Sequence, residues 1–113
     1  MQNTKVLSES DSWTSSVELW VSEAGIMSED VESIVRSAFA RVSRACFVEP
    51  GWRDRAGADV DLPLPHGQWL TRPSIQIRMM ALINLQRRMR ILELGFGSGY
   101  LCAVMAAAGA QVF

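Results

Sequence analysis

From Ser28 onward the chain takes on a helical rhythm. Val31, Ile34, Val35, Ala38, Phe39 and Val42 recur three or four positions apart and define one apolar face. Ser28 stands where an N-cap is wanted, and Glu29 and Asp30 place negative charge against the unpaired amides of the first turn. Residues 1–15, rich in Ser, Asn, Asp and Gln without a period, read instead as a flexible leader ahead of one domain over 16–113. Between Glu49 and Gly67 the period is lost and all the prolines but Pro73 collect, which predicts a long loop, a feature more often functional than accidental in a small domain. Pro73 then suits a first helical position, with Thr71 or Arg72 as cap, and Ile75, Met79, Leu82, Ile83 and Gln86 follow at helical spacing. Arg90–Leu94 (RILEL) reads as a short buried strand. Ser98–Ala108 is a further helix with Leu101, Val104, Met105 and Ala108 on its face, closed by Gly109, and Gln111–Phe113 open another strand.

Composition narrows the partners. With 49% hydrophobic and 20% charged residues in 113, the chain is built to fold as one domain at most. A formal net charge of −1 provides no field for nucleic acid or an anionic membrane. Arg87, Arg88 and Arg90 crowd together just before the strand and read as a solvated turn. Cys46 and Cys102 lie far apart, and with the single histidine His66 they match neither a metal box nor a disulfide framework; no metal is expected. The absence of a basic, then apolar N-terminal run and of any apolar stretch near roughly 18 residues leads to the expectation of a cytoplasmic protein.

The most informative segment is Ile91-Leu92-Glu93-Leu94-Gly95-Phe96-Gly97-Ser98-Gly99. Alternating glycines after a strand and before a helix let the backbone turn with positive φ and approach a ligand closely. The third glycine of the dinucleotide fingerprint is absent: Tyr100 stands there counted from Gly95, and Cys102 counted from Gly97. An acid, Glu93, instead precedes the first glycine by two residues, an arrangement that resembles motif I of Rossmann-like S-adenosylmethionine methyltransferases. A carboxylate there can meet the positive charge of a sulfonium cofactor, whereas it would repel a pyrophosphate. The plainer reading, Glu93 solvated at a strand end, stays beside it.

Upstream lie Arg44, Phe47-Val48-Glu49-Pro50, Asp61-Leu62-Pro63-Leu64-Pro65 and Gly67-Gln68-Trp69-Leu70-Thr71-Arg72-Pro73. With the glycine turn, this ordered set resembles the protein-L-isoaspartate methyltransferase family, whose members read approximately R-x-x-F-V-P, D-x-P-L-P-I-G, G-Q-T-I-S-Q-P and V-L-E-I-G-T-G-S-G-Y. Gly25-Ile26 followed by Val31 is similar to the family's G-I-x-x-x-x-V opening, with about four extra residues before Arg44, so the resemblance runs over roughly 17–113. The chain departs from the pattern at Thr71 (serine in the family), Trp69 and Phe96 (threonines), and Pro65-His66 before Gly67.

The resemblance implies an α/β fold: the N-terminal part of a Rossmann-like methyltransferase with a helical extension in front and an incomplete sheet. It implies S-adenosylmethionine as cofactor and, as partners, isoaspartyl-containing peptides and proteins, whose free carboxylate would be methylated; the ester cyclises to a succinimide whose hydrolysis restores some aspartate. Gly95, Gly97 and Gly99 would shape the cofactor turn, Glu93 and Ser98 would lie by its methionine portion, and Leu70 and Thr71 would flank the methyl and the acceptor, Thr71 as the catalytic candidate. For Thr71 the alternative is a helix cap; for His66, a loop residue; for Trp13, Trp20 and Trp52, packing; for Trp69, a lid. The resemblance further implies that ribose- and adenine-binding parts would follow Phe113, so the 113 residues alone are expected to be an inactive fragment. Two other readings stay open, a related methyltransferase for another peptide or small-molecule acceptor and a non-catalytic binding remnant.

Overall fold

The computed structural model describes residues 9–113. The leader expected over 1–15 gives way from Glu9 to helix α1 (Glu9–Glu23), while residues 1–8 lie outside the described part. Tertiary contact explains this helix better than its weak period does. Val17, Trp20 and Val21 are buried, and the Trp13 indole donates to the Phe39 carbonyl at 2.9 Å and meets Trp20 edge-on, ring centroids 5.7 Å apart.

Helix α2 (Glu29–Arg41) forms where the apolar spacing placed it. Ser28 Oγ accepts from the Val31 amide at 3.4 Å, and Val31, Val35, Ala38 and Phe39 are buried against α1 and the later helices. Beyond it the chain makes 3-10 turns at Arg44–Phe47, Pro50–Arg55 and Pro65–Gly67. The last lies inside a small antiparallel hairpin, β1 (Leu62–Pro63) with β2 (Trp69–Leu70), in the register Leu62 to Leu70 and Pro63 to Trp69.

Helix α3 (Pro73–Leu82) is shorter than the spacing to Gln86 suggested and turns a different face inward. Pro73, Gln76, Ile77 and Met80 are buried, whereas Ile75, Met79, Leu82 and Ile83 are exposed. Ile75, Ile77, Met79, Met80 and Leu82 make the segment apolar nearly all round, so spacing cannot select a face; packing on α1 and α2 does. The helix stops where Asn84 takes a left-handed φ of 53° and the Leu85 amide reaches back to the Met80 carbonyl at 3.1 Å.

Strand β3 (Arg90–Ile91), helix α4 (Tyr100–Ala107) and strand β4 (Gln111–Val112) form a β-α-β unit with the two strands parallel. Of the strand expected over Arg90–Leu94, only Arg90 and Ile91 are in the ladder, extended by one bond from the Glu93 amide to the Phe113 carbonyl at 3.0 Å. The helix begins two residues later than Ser98 because Gly99, at φ 84°, is its left-handed cap. Leu101, Val104, Met105 and Ala108 are buried as the spacing predicted, together with Tyr100. Arg87, Arg88 and Arg90 are exposed, with the Arg90 guanidinium 5.5 Å from the centre of the Phe113 ring. The result is a mixed helix and strand fold with small sheets, helices α1 to α4 around one core.

Candidate functional site

Three pieces of chain meet at a cleft of about 640 Å³: residues 46–49, the β1–β2 turn and the glycine turn. On the glycine side, Gly95, Gly97 and Gly99 have φ of 72°, 56° and 84°, a sequence of left-handed turns that side chains with a Cβ resist. At Gly97 space is short as well as conformation unusual, since a Cβ there would lie 3.3 Å from Leu64 Cδ1. Gly97 and Ser98 line the cleft, and the Ser98 hydroxyl is buried with no hydrogen-bond partner in the protein. A buried hydroxyl left unpaired is costly unless something else bonds it.

Glu93, half-buried two residues beyond β3, accepts a hydrogen bond from the Cys102 thiol, Sγ to Oε2 2.7 Å. Burial, the hydrogen bond and the carboxylate's charge together push the Cys102 thiol up to about 11, so it remains a neutral donor at physiological pH. Glu93 is thereby held at the base of the glycine turn rather than loose in solvent. Cys46 and Cys102 are both free.

The opposite wall is the β1–β2 turn. Leu64, Pro65, His66 and Gln68 line the cleft, and the Leu64 amide donates to the Gln68 carbonyl at 2.8 Å to close the turn. His66 is an exposed loop residue, at φ 63°. Leu70 is buried and Thr71 half-buried, and neither is among the residues lining the cleft. Of the residues singled out in the sequence, Gly97 and Ser98 are thus brought to the cleft, whereas Glu93, Gly95, Gly99, Leu70 and Thr71 are not among its lining residues.

Thr71 does not cap α3, contrary to the alternative its sequence position offered. Arg72 occupies the cap position of α3 without a side-chain bond, and the first amides of the helix are met from the loop: Asp61 Oδ1 accepts from the Arg72 amide at 2.9 Å, and Asp59 Oδ1 from the Ser74 amide at 3.0 Å. Asp61 also receives Arg72 Nε at 3.3 Å, and these bonds hold its carboxyl below the usual range. Among the tryptophans, Trp13 and Trp20 pack, whereas Trp52 is exposed, contrary to expectation, and Trp69 is exposed on β2.

The profile of the protein-L-isoaspartate(D-aspartate) O-methyltransferase family matches residues 21–112. The chain belongs to this family. It is 39% identical over 101 residues to protein-L-isoaspartate O-methyltransferase 1 of Anaeromyxobacter sp. (strain Fw109-5), an alignment covering 89% of this chain and 47% of the relative. To protein-L-isoaspartate O-methyltransferases of Salinibacter ruber (strain DSM 13855 / M31) and Myxococcus xanthus (strain DK1622) it is 43% and 39% identical over 79 residues, covering 70% of this chain and 34% and 37% of those proteins. The chain spans between about a third and a half of the length of these relatives.

In the sequence Arg44 stands out only as part of a family motif, whereas the structure gives it a place of its own. The side chain is 1% exposed; Nη1 donates to the carbonyls of Ala56 and Ala58, both at 3.3 Å, and Nη2 to those of Val60 at 2.7 Å, Leu70 at 3.4 Å and Thr71 at 3.3 Å. Burial lowers the guanidinium's hold on its proton and the surrounding Tyr100, Asp59 and Asp61 raise it, and a group starting so high stays charged. The available signal was its position before a long, proline-rich loop with many carbonyls to satisfy. Among the described residues no group of three or more His, Cys, Asp or Glu could hold a metal ion, and no helix is long and apolar enough to cross a membrane.

Proposed function

We propose that this chain supplies the cofactor turn of an S-adenosylmethionine-dependent methyltransferase that esterifies the free carboxylate of L-isoaspartyl residues in damaged proteins. Family membership supports the activity, and the observation that carries the assignment of the site is the glycine cradle itself. Three alternate glycines at positive φ follow β3, beside a buried Ser98 hydroxyl that lacks a protein partner. These features fit the methionine end of the cofactor: a backbone a ligand can approach closely, an orphan hydroxyl to donate or accept, and the Glu93 carboxylate to meet positive charge. The β3-α4-β4 unit supports a Rossmann-like reading of the larger fold.

S-adenosylmethionine supplies an electrophilic methyl group on a sulfonium. The residues around it have modest chemical duties, because an acceptor carboxylate is already ionised at neutral pH and needs no strong general base. Gly95, Gly97 and Gly99 hold the backbone open. Glu93, fixed by Cys102, and Ser98 orient the charged end. Leu70, the last residue of β2, and Thr71, just after it, take the acceptor side, where they would orient the carboxylate and exclude water. Free Cys46 and Cys102 suit a reducing, cytoplasmic setting.

Titration calorimetry of the natural-length protein with S-adenosylmethionine tests the cradle. Gly97→Val should weaken binding more than about tenfold while the circular dichroism spectrum is retained, because a branched side chain at that φ is strained and meets Leu64. Unchanged affinity in a folded variant would remove the glycine turn from the cofactor site.

A further inference from the structure

Arg44 sits outside the cleft, yet its partners lie along the segment that forms the cleft's wall. Its two terminal nitrogens bond carbonyls at both ends of the β1–β2 hairpin: Ala56, Ala58 and Val60 on the way in, Leu70 and Thr71 on the way out. The hairpin itself has only a two-residue ladder, too few backbone bonds to define a path alone. The segment leading into it is also tied, through Asp61 and Asp59, to the amides of Arg72 and Ser74 at the start of α3. We propose that Arg44 is the positioning residue for acceptor binding: by gathering these carbonyls it sets the path of residues 56–71, and so the place of the Leu64–Gln68 wall opposite Gly97–Ser98 and of Thr71 at the start of α3.

The choice of arginine has a physical basis. A planar guanidinium presents five donors in a fixed fork, so one side chain can serve several carbonyls that approach from different directions, whereas a lysine ammonium offers three donors on a single atom. The glycine turn stands apart from this arrangement. Its conformation comes from Gly95, Gly97 and Gly99 and from the β3-α4-β4 unit, whose one approach to Arg44 is the charge interaction of Tyr100 at the start of α4, not a hydrogen bond to the fork. Loss of the fork therefore releases the wall and leaves the cradle in place.

This inference rests on the methyltransferase reading, and its test separates the two. Arg44→Lys and Arg44→Met are compared with the unsubstituted natural-length protein by amide hydrogen exchange, S-adenosylmethionine calorimetry and kinetics with an isoaspartyl peptide. Exchange should rise by about tenfold or more for amides within 57–70 while those of α2 and α4 keep their protection. The peptide KM should rise about tenfold in both variants and kcat should fall with it as Thr71 is displaced, while cofactor affinity holds within about twofold, the pattern of a shifted acceptor side rather than a lost cofactor site. Arg44→Lys, which keeps the charge, guards against outright unfolding of the methionine variant. Exchange that rises evenly through α2 and α4, or a peptide KM that does not move, would overturn the proposal. If the unsubstituted protein transfers no methyl group, the functional reading fails, and the exchange pattern alone decides whether Arg44 sets the wall.

Discussion

Thr71 leaves its peptide carbonyl to Arg44 and the capping of α3 to aspartates from the loop, which separates its hydroxyl from the structural duty the sequence offered as an alternative. Thr71→Val keeps the shape and removes only that hydroxyl. If Thr71 has the acceptor role proposed for it, turnover should fall about tenfold with cofactor affinity unchanged, the size of one lost hydrogen bond. Steady-state kinetics with an isoaspartyl peptide, beside cofactor calorimetry, measures both. Full turnover in the variant would show that Thr71 contributes only its backbone. The glycine turn was legible residue by residue because its spacing encodes a backbone shape. The Glu93–Cys102 bond was not, since nothing in a sequence says that a thiol nine positions later turns back onto the strand end.

At the scale of elements, legibility followed the contrast between faces. Helix α2, with charges on one side and Val31, Val35, Ala38 and Phe39 on the other, could be placed with its cap at Ser28. Helix α1 could not be seen because its amphipathic signal is weak and its stability comes from contacts with α2 and α3. In α3 the apolar residues surround the axis, so the buried side had to be decided by its neighbours. The start of α3 depends on residues more than ten positions upstream, which leads to a specific expectation. Asp59→Ala, removing the acceptor for the Ser74 amide, should lower the protein's unfolding free energy by about 1 kcal/mol, as for loss of a helix cap. A urea denaturation midpoint equal to that of the unsubstituted protein would show that solvent serves the Ser74 amide as well.

For the molecule as a whole, the exposed apolar side chains concentrate on two features, the outer side of α3 and the strand region next to the glycine turn. Leu82 and Leu94 are each 84% exposed, Leu92 69%, and Ile75, Met79, Ile83, Phe96 and Phe113 are exposed beside them. Parallel strands are ordinarily covered on both faces and paired at their edges, and here the parallel sheet has two strands. Relatives two to three times the matched length offer the polypeptide that could cover them. A chain of these 113 residues by itself is therefore expected to transfer no detectable methyl group and to bind S-adenosylmethionine weakly at best. Cooperative unfolding with low-micromolar cofactor binding by the 113-residue chain would contradict this. What the sequence conveyed best was the glycine turn, contained in one continuous stretch; the five carbonyl contacts of Arg44 with residues 56–71 cross a loop of low periodicity and are visible only in three dimensions.

The measurement that reaches the central claim most directly is transfer of labelled methyl from S-adenosylmethionine, by the natural-length protein, to an isoaspartyl peptide and to its aspartyl counterpart at equal concentration. The isoaspartyl peptide should be esterified and the aspartyl peptide should remain at background, since the proposed acceptor is the free carboxylate that only the isomerised linkage presents in that position. Equal labelling of the two peptides, or labelling of neither, would contradict the assignment.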